Sequence, residues 1–166
     1  MSKRSKVYVE TSIISYLASR PSRDYIVLAR EEITREWWRS SRPIYDIFVS
    51  PLVESEARAG DQEAAKRRLK IMQNIPGLTL SKPATDLAKF LVKSGAVPDV
   101  AKEDALHIAL ATVHGMDFLI TWNCTHIANA SIRRNIIKVI ETNGYECPTI
   151  CTPEELSQNP DGEAEL

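Results

Sequence analysis

Five residues of this 166-residue sequence carry oxygen donors suited to a hard cation, four of them just past the ends of short apolar runs. Glu10 follows the run Val7-Tyr8-Val9, Glu54 and Glu56 come just after Ile47-Phe48-Val49, and Asn123 comes just after Phe118-Leu119-Ile120-Thr121. Asp104 lies near the start of the helical stretch that feeds this last run. Mg²⁺ in phosphoryl-transfer sites is held by one or two carboxylates together with waters and phosphate, so acids from separate segments can build such a site if the fold brings them to one edge. A solitary acid on an exposed helix is an ordinary surface residue. On spacing alone both readings stand, solvated acids or a metal-dependent phosphoryl-transfer site. Asp104 adds weight to the second, because the following Ala105-Leu106-His107-Ile108-Ala109-Leu110 implies a mostly buried helix that an unpaired carboxylate would destabilise.

The elements that must position these residues alternate between short apolar runs and amphipathic stretches. Residues 7–9 predict a strand, with Thr11 or Ser12 available to cap a helix carrying Ile13, Ile14 and Leu17. After the break at residues 20–24, residues 25–39 predict a helix with Ile26, Ala29, Ile33 and Trp37 on one face. Residues 47–49 predict a second strand, followed by Ser50 as a cap and Pro51 in the first helical position. Helices are expected at residues 63–73, around Leu87, Phe90 and Leu91, from Asp99 or the residues just after it through His114, and at residues 129–143. Strands are expected at residues 78–80 and 118–121, and a short segment at Thr149-Ile150 precedes a capping box at Thr152 and Glu155. This order implies an α/β fold with a mainly parallel sheet covered by helices. One domain over residues 1–156 and a polar, disordered tail over residues 157–166 are expected.

Composition narrows the class. With 43% hydrophobic and 26% charged residues the chain has the make-up of a globular protein. A net charge of -1 excludes nucleic-acid binding through overall charge and leaves only a local basic face. No apolar run reaches bilayer-spanning length, and the opening MSKRSK leads into a strand instead of a signal-peptide core, so no membrane partner and a cytoplasmic location are expected. Cys124, Cys147 and Cys151 are odd in number and fit reduced thiols. Cys124, His126, Cys147 and Cys151 could supply four zinc ligands, but their spacing is not that of a ribbon or finger. No P-loop and no G-x-G-x-x-G run is present, which speaks against a nucleotide-binding α/β enzyme.

Four segments resemble the motifs of the PIN-domain family, in particular the VapC-like toxin ribonucleases of type II toxin–antitoxin pairs. Val7-Tyr8-Val9-Glu10-Thr11-Ser12 is similar to the opening motif, an acid at a strand end before Thr or Ser and a helix. The stretch from Ser50 to Gly60 is similar to the second motif, whose acid stands four residues before Gly and therefore selects Glu56 over Glu54. Glu103-Asp104-Ala105-Leu106-His107 resembles the third motif, and Leu119-Ile120-Thr121-Trp122-Asn123 the fourth. Glu10 stands where the family usually has Asp, and Asn123 where it often has Asp. One acid is thus a methylene longer, one charge is absent, and three carboxylates remain.

What the resemblance implies is a Mg²⁺- or Mn²⁺-dependent endoribonuclease leaving a 5′-phosphate and a 3′-hydroxyl, acting on RNA, with an antitoxin protein and a homodimer as partners. Glu10, Glu56 and Asp104 would bind metal, and Asn123 would complete the catalytic set as a polar outer ligand. Thr11, Ser12 and Thr121 would orient ligands or phosphate, although Thr11 or Ser12 also reads as a helix cap. His107, three residues after Asp104, would share its helix face as an outer residue, and His126 reads as a loop residue. Arg20, Arg23, Arg35 and Arg39 near Trp37 and Trp38 read either as a single-stranded RNA groove or as a solvated basic face beside a buried Trp. The competing function is a catalytically weak or inactive PIN-like module that binds RNA or protein.

Overall fold

The computed structural model describes residues 3–157, so the polar tail expected from residue 157 lies, beyond Ser157, outside the described residues. Four strands, β1 (Lys6–Val9), β2 (Asp46–Phe48), β3 (Phe118–Ile120) and β4 (Thr149–Cys151), form an all-parallel sheet in the order β2-β1-β3-β4. Seven α-helices flank it: α1 (Thr11–Ala18), α2 (Tyr25–Glu36), α3 (Pro51–Arg58), α4 (Gln62–Met72), α5 (Lys82–Lys93), α6 (Lys102–Val113) and α7 (Ala130–Thr142). This is the α/β architecture expected from the alternation of apolar runs and amphipathic stretches.

Val7, Tyr8, Val9, Leu119 and Ile120 are fully buried, because strands covered on both sides have no polar face to show to water. α6 is likewise buried almost all round, from Ala105 to Thr112, and packs along α5. Gly115 (φ +67) ends it in the left-handed conformation that glycine adopts without a Cβ penalty, and the chain then turns into β3. The register pairs Tyr8 with Leu119 and Val9 with Ile120. Glu10 and Thr121 therefore leave the sheet side by side. The chain leaves β1 toward one edge and returns to β3 on its other side, which makes this pair of strand ends the point where ligands gather in open parallel sheets.

Three local expectations are corrected. The helix expected over residues 25–39 is α-helical only to Glu36 and continues as a π-helical turn over Trp37–Ser41 and a 3₁₀ turn over Arg42–Ile44. Its buried face is also rotated: Ile26 and Ala29 are exposed, whereas Glu31 and Thr34 are buried beside Trp37. Counting apolar residues failed there because the buried polar groups have partners. Ser19 Oγ and Ser22 N donate to Glu31, while Thr34 Oγ1 accepts from Trp122 Nε1 at 2.7 Å. Residues 78–80 form no strand. Their region contributes a single bridge between Val49 and Gly77, since continuing the ladder would need an N–H from Pro51, which has none and opens α3 instead. The helix expected to open at or just after Asp99 is α6, which starts at Lys102 behind a 3₁₀ turn over Asp99–Ala101. The Thr152 and Glu155 box does form, Thr152 N donating to Glu155 Oε1 and Glu155 N to Thr152 Oγ1, but it closes a turn, not a helix.

Candidate active site

Glu10 occupies a junction of three elements. It is the N-cap of α1, a role expected of Thr11 or Ser12, and its backbone N–H donates to Ile120 O on β3. Its Oε2 accepts from Ser12 N (3.0 Å), Ser12 Oγ (2.5 Å) and Thr121 Oγ1 (2.8 Å), so a carboxylate only 5% exposed is held by three donors. Ser12 Oγ in turn accepts from Trp122 N, and Thr121 Oγ1 from Asn123 N. The hydroxyl residues singled out in the sequence are thus bound to Glu10 and to the end of β3. Thr11, the first residue of α1, donates instead to Glu56 Oε1 at 2.9 Å.

Glu56 projects from α3, whose start is fixed by the Ser50 cap and Pro51 as expected. Glu54 on the same helix is exposed and pairs with Arg58. Glu56 is half-buried, and its Oε1 also meets His107 Nε2 at 2.5 Å. Burial pushes the Glu56 carboxyl up, but the His107 hydrogen bond, the attraction of its ring and the Thr11 hydroxyl outweigh that and hold it below its ordinary value. The same His107 Nε2 lies 3.9 Å from Glu10 Oε1, so one imidazole stands between the two carboxylates.

Asp104 and Asn123 sit differently from the expectation. Asp104 Oδ2 pairs with His126 Nδ1 at 3.0 Å, and Asp104 is linked to the Glu10–Glu56 network through α6, which carries His107 one turn later. Asn123 Oδ1, expected as an outer ligand, accepts from the backbone N–H groups of Thr125 (3.3 Å) and His126 (3.0 Å). That oxygen caps the loop which delivers His126 to Asp104. His126 carries no local pattern that marks this role, because its position depends on the fold of the loop. Tyr8 was missed as well. A tyrosine in the middle of a buried strand is itself a signal, since its hydroxyl must find a partner.

Among the described residues no three His, Cys, Asp or Glu side chains stand as a group able to hold a metal ion. The donor chemistry nevertheless fits a divalent cation. Glu10 Oε2, Glu56 Oε1 and Asp104 Oδ2 take hydrogen bonds, whereas Glu10 Oε1, Glu56 Oε2 and Asp104 Oδ1 take none among the described residues. A carboxylate held through one oxygen keeps the other for a hard cation, with hydrogen bonds behind it. The zinc reading has no such support: Cys124 is exposed, Cys151 is buried, all three cysteines are free, and His126 is bound to Asp104.

The basic stretch near Trp37 reads as surface and core. Trp37 is buried and stacks on Tyr45, Arg35 pairs with Glu32, and Arg39 pairs with Glu36. Arg42 lies over the Trp38 ring at 4.8 Å.

No protein-family model matches the sequence, and no curated protein matches it. Among solved structures, VapC20 of Mycobacterium tuberculosis, described as a sarcin–ricin loop cleaving toxin, is similar with a TM-score of 0.54 at 16% identity, over 84% of this chain and 95% of that one. A chain of VapBC2 from Rickettsia felis, solved bound to a DNA fragment from its promoter, is similar with a TM-score of 0.51 at 15% identity, over 89% of this chain and 98% of that one. The chain has the PIN-like fold of these VapC proteins.

Proposed function

We propose that the protein is a metal-dependent endoribonuclease and the toxin of a toxin–antitoxin pair. The observation that carries this reading is that Glu10 and Glu56 flank one imidazole at the end of β1 and, like Asp104, each have one oxygen bound by the protein and one left over. Glu10, Glu56 and Asp104 would hold Mg²⁺ or Mn²⁺. A bound divalent cation supplies Lewis acidity, lowering the pKa of water and offsetting charge on a phosphodiester under in-line attack. Ser12 and Thr121 hold Glu10, Thr11 and His107 hold Glu56, and His126 holds Asp104, so the acids meet a substrate already oriented. In the reaction the P–O3′ bond breaks, the oxygen of water stays on phosphorus as a 5′-phosphate, and the 3′ oxygen takes a proton.

The partners that go with this reading are RNA as substrate, an antitoxin protein and a second copy of the chain, in the cytoplasm. Among the described residues no helix is long and apolar enough to cross a membrane. A second reading, a PIN-like module that binds RNA or protein without cutting, draws on one observation: the Asn123 oxygen serves the loop backbone, and a fourth acid is missing. Incubating purified protein with single-stranded RNA in Mn²⁺, with Asp104→Ala as control, separates the two. Cleavage by the parent alone supports the nuclease, and binding without cleavage supports the module.

A further inference from the structure

Behind the candidate site a line of hydrogen bonds crosses the core. Ser50, at the start of α3, accepts from Val53 N through Oγ (3.3 Å), and that Oγ meets the Tyr8 hydroxyl at 2.8 Å. The same hydroxyl meets His107 Nδ1 at 2.7 Å, and His107 Nε2 reaches Glu56 Oε1 at 2.5 Å. Tyr8 and His107 are fully buried and Ser50 is 2% exposed. Hydroxyls and an imidazole placed in an apolar cluster are costly unless every one is bonded, and here each has a partner. A carboxylate offers no hydrogen, so Nε2–H must donate to Glu56. Both ring nitrogens are held, and the ring cannot turn without breaking a buried bond.

We propose that Tyr8, Ser50 and His107 form a buried hydrogen-bond relay that positions the Glu56 carboxylate, keeping Oε1 on the protein and Oε2 free of protein hydrogen bonds. The relay takes its anchor points from β1, the cap of α3 and α6, whose mutual spacing the sheet and core fix, and delivers that spacing to the one half-buried acid on α3. Tyr8, Ser50 and His107 are positioning residues, acting on whatever Glu56 binds. The metal part of this inference rests on the nuclease reading above; the relay itself does not.

The full chain, labelled with ¹⁵N at its three histidines, tests it by NMR without added metal, and Mn²⁺ titration calorimetry tests it with metal. The parent is expected to show one imidazole N–H proton far downfield and slow to exchange with water. Tyr8→Phe should shift or broaden that resonance and weaken Mn²⁺ binding about tenfold or more, the usual effect of losing a group that orients a ligand. An unchanged resonance together with unchanged Mn²⁺ affinity would overturn the relay. If Tyr8→Phe does not fold, Glu56→Gln reads the same bond from its other end: the resonance must move, and a fixed one overturns the proposal. A parent that takes up no Mn²⁺ counts against the nuclease reading, and the relay is then decided by the resonance alone.

Discussion

Asn123 shows how a residue's type and its neighbours divide a role. Its oxygen is committed to two backbone N–H groups of the loop, a duty that Asp performs equally well. Asn123→Asp should therefore keep the loop and add negative charge near Asp104, tightening Mn²⁺ binding by about tenfold, a gain of about 1.4 kcal/mol. Calorimetry giving equal affinities for the two proteins would leave residue 123 as a loop cap and nothing more. The thiols divide in the same way. Burial, reinforced by Glu141, pushes Cys147 up to about 11, and burial reinforced by Glu155 pushes Cys151 up to about 12, while Cys124 is exposed. A thiol-reactive disulfide reagent at pH 8 should modify one cysteine of the native protein quickly, and Cys124→Ser should abolish that fast phase. Two or three fast thiols would contradict the burial of the other pair.

At the scale of elements, Glu10 belongs to the fold as much as to the site, because it caps α1 and ties it to the end of β3. Glu10→Ala is expected to lose about 2–3 kcal/mol of stability in urea unfolding, the order for a buried charged acceptor with several donors. Asp104→Ala, which breaks one part-exposed pair, should lose about 1 kcal/mol or less. Equal losses would mean that Glu10 is not the junction described. Glu56 adds a pH dependence. A carboxyl held low in the folded protein contributes stability above its ordinary value, and that stability is lost as pH falls through the folded value. Glu56→Gln should flatten the acid limb of stability against pH, and a limb of unchanged steepness would refute the assignment. Period and punctuation were enough to place β1, β2, β3 and α3 from sequence, because a buried parallel strand reads as an unbroken apolar run and Ser50-Pro51 is a local signal. The buried face of α2 was not legible: Glu31 and Thr34 are buried only because Ser19, Ser22 and Trp122, distant in sequence, satisfy them.

At the scale of the whole molecule, Glu10 was legible as a strand-end residue and Glu56 and Asp104 as acids on helices beside strands, but their partners were not. Glu10 and Glu56 stand 46 positions apart in sequence and meet through His107 of a third element, a meeting that only the strand order β2-β1-β3-β4 produces. The exposed face of α2 also acts at this scale. Tyr25 is 88% and Ile26 68% exposed, and a homodimer burying this apolar end is expected. Light scattering should give about twice the 18.6 kDa chain mass, and Tyr25→Glu should reduce it. A parent that stays at the chain mass at high concentration would contradict the dimer.

The most direct test of the function is cleavage of single-stranded RNA by the purified protein, assayed with Mn²⁺, with Mg²⁺ and with a chelator, alongside Asp104→Ala and Glu56→Gln proteins whose circular dichroism matches the parent. The expected result is cutting that requires a divalent cation, leaves 5′-phosphate and 3′-hydroxyl ends, and falls by about 10²-fold or more in both variants, the order for removing a group that binds the catalytic ion. Cleavage that persists in chelator or in Asp104→Ala, or no cleavage by the parent at saturating Mn²⁺, would contradict it.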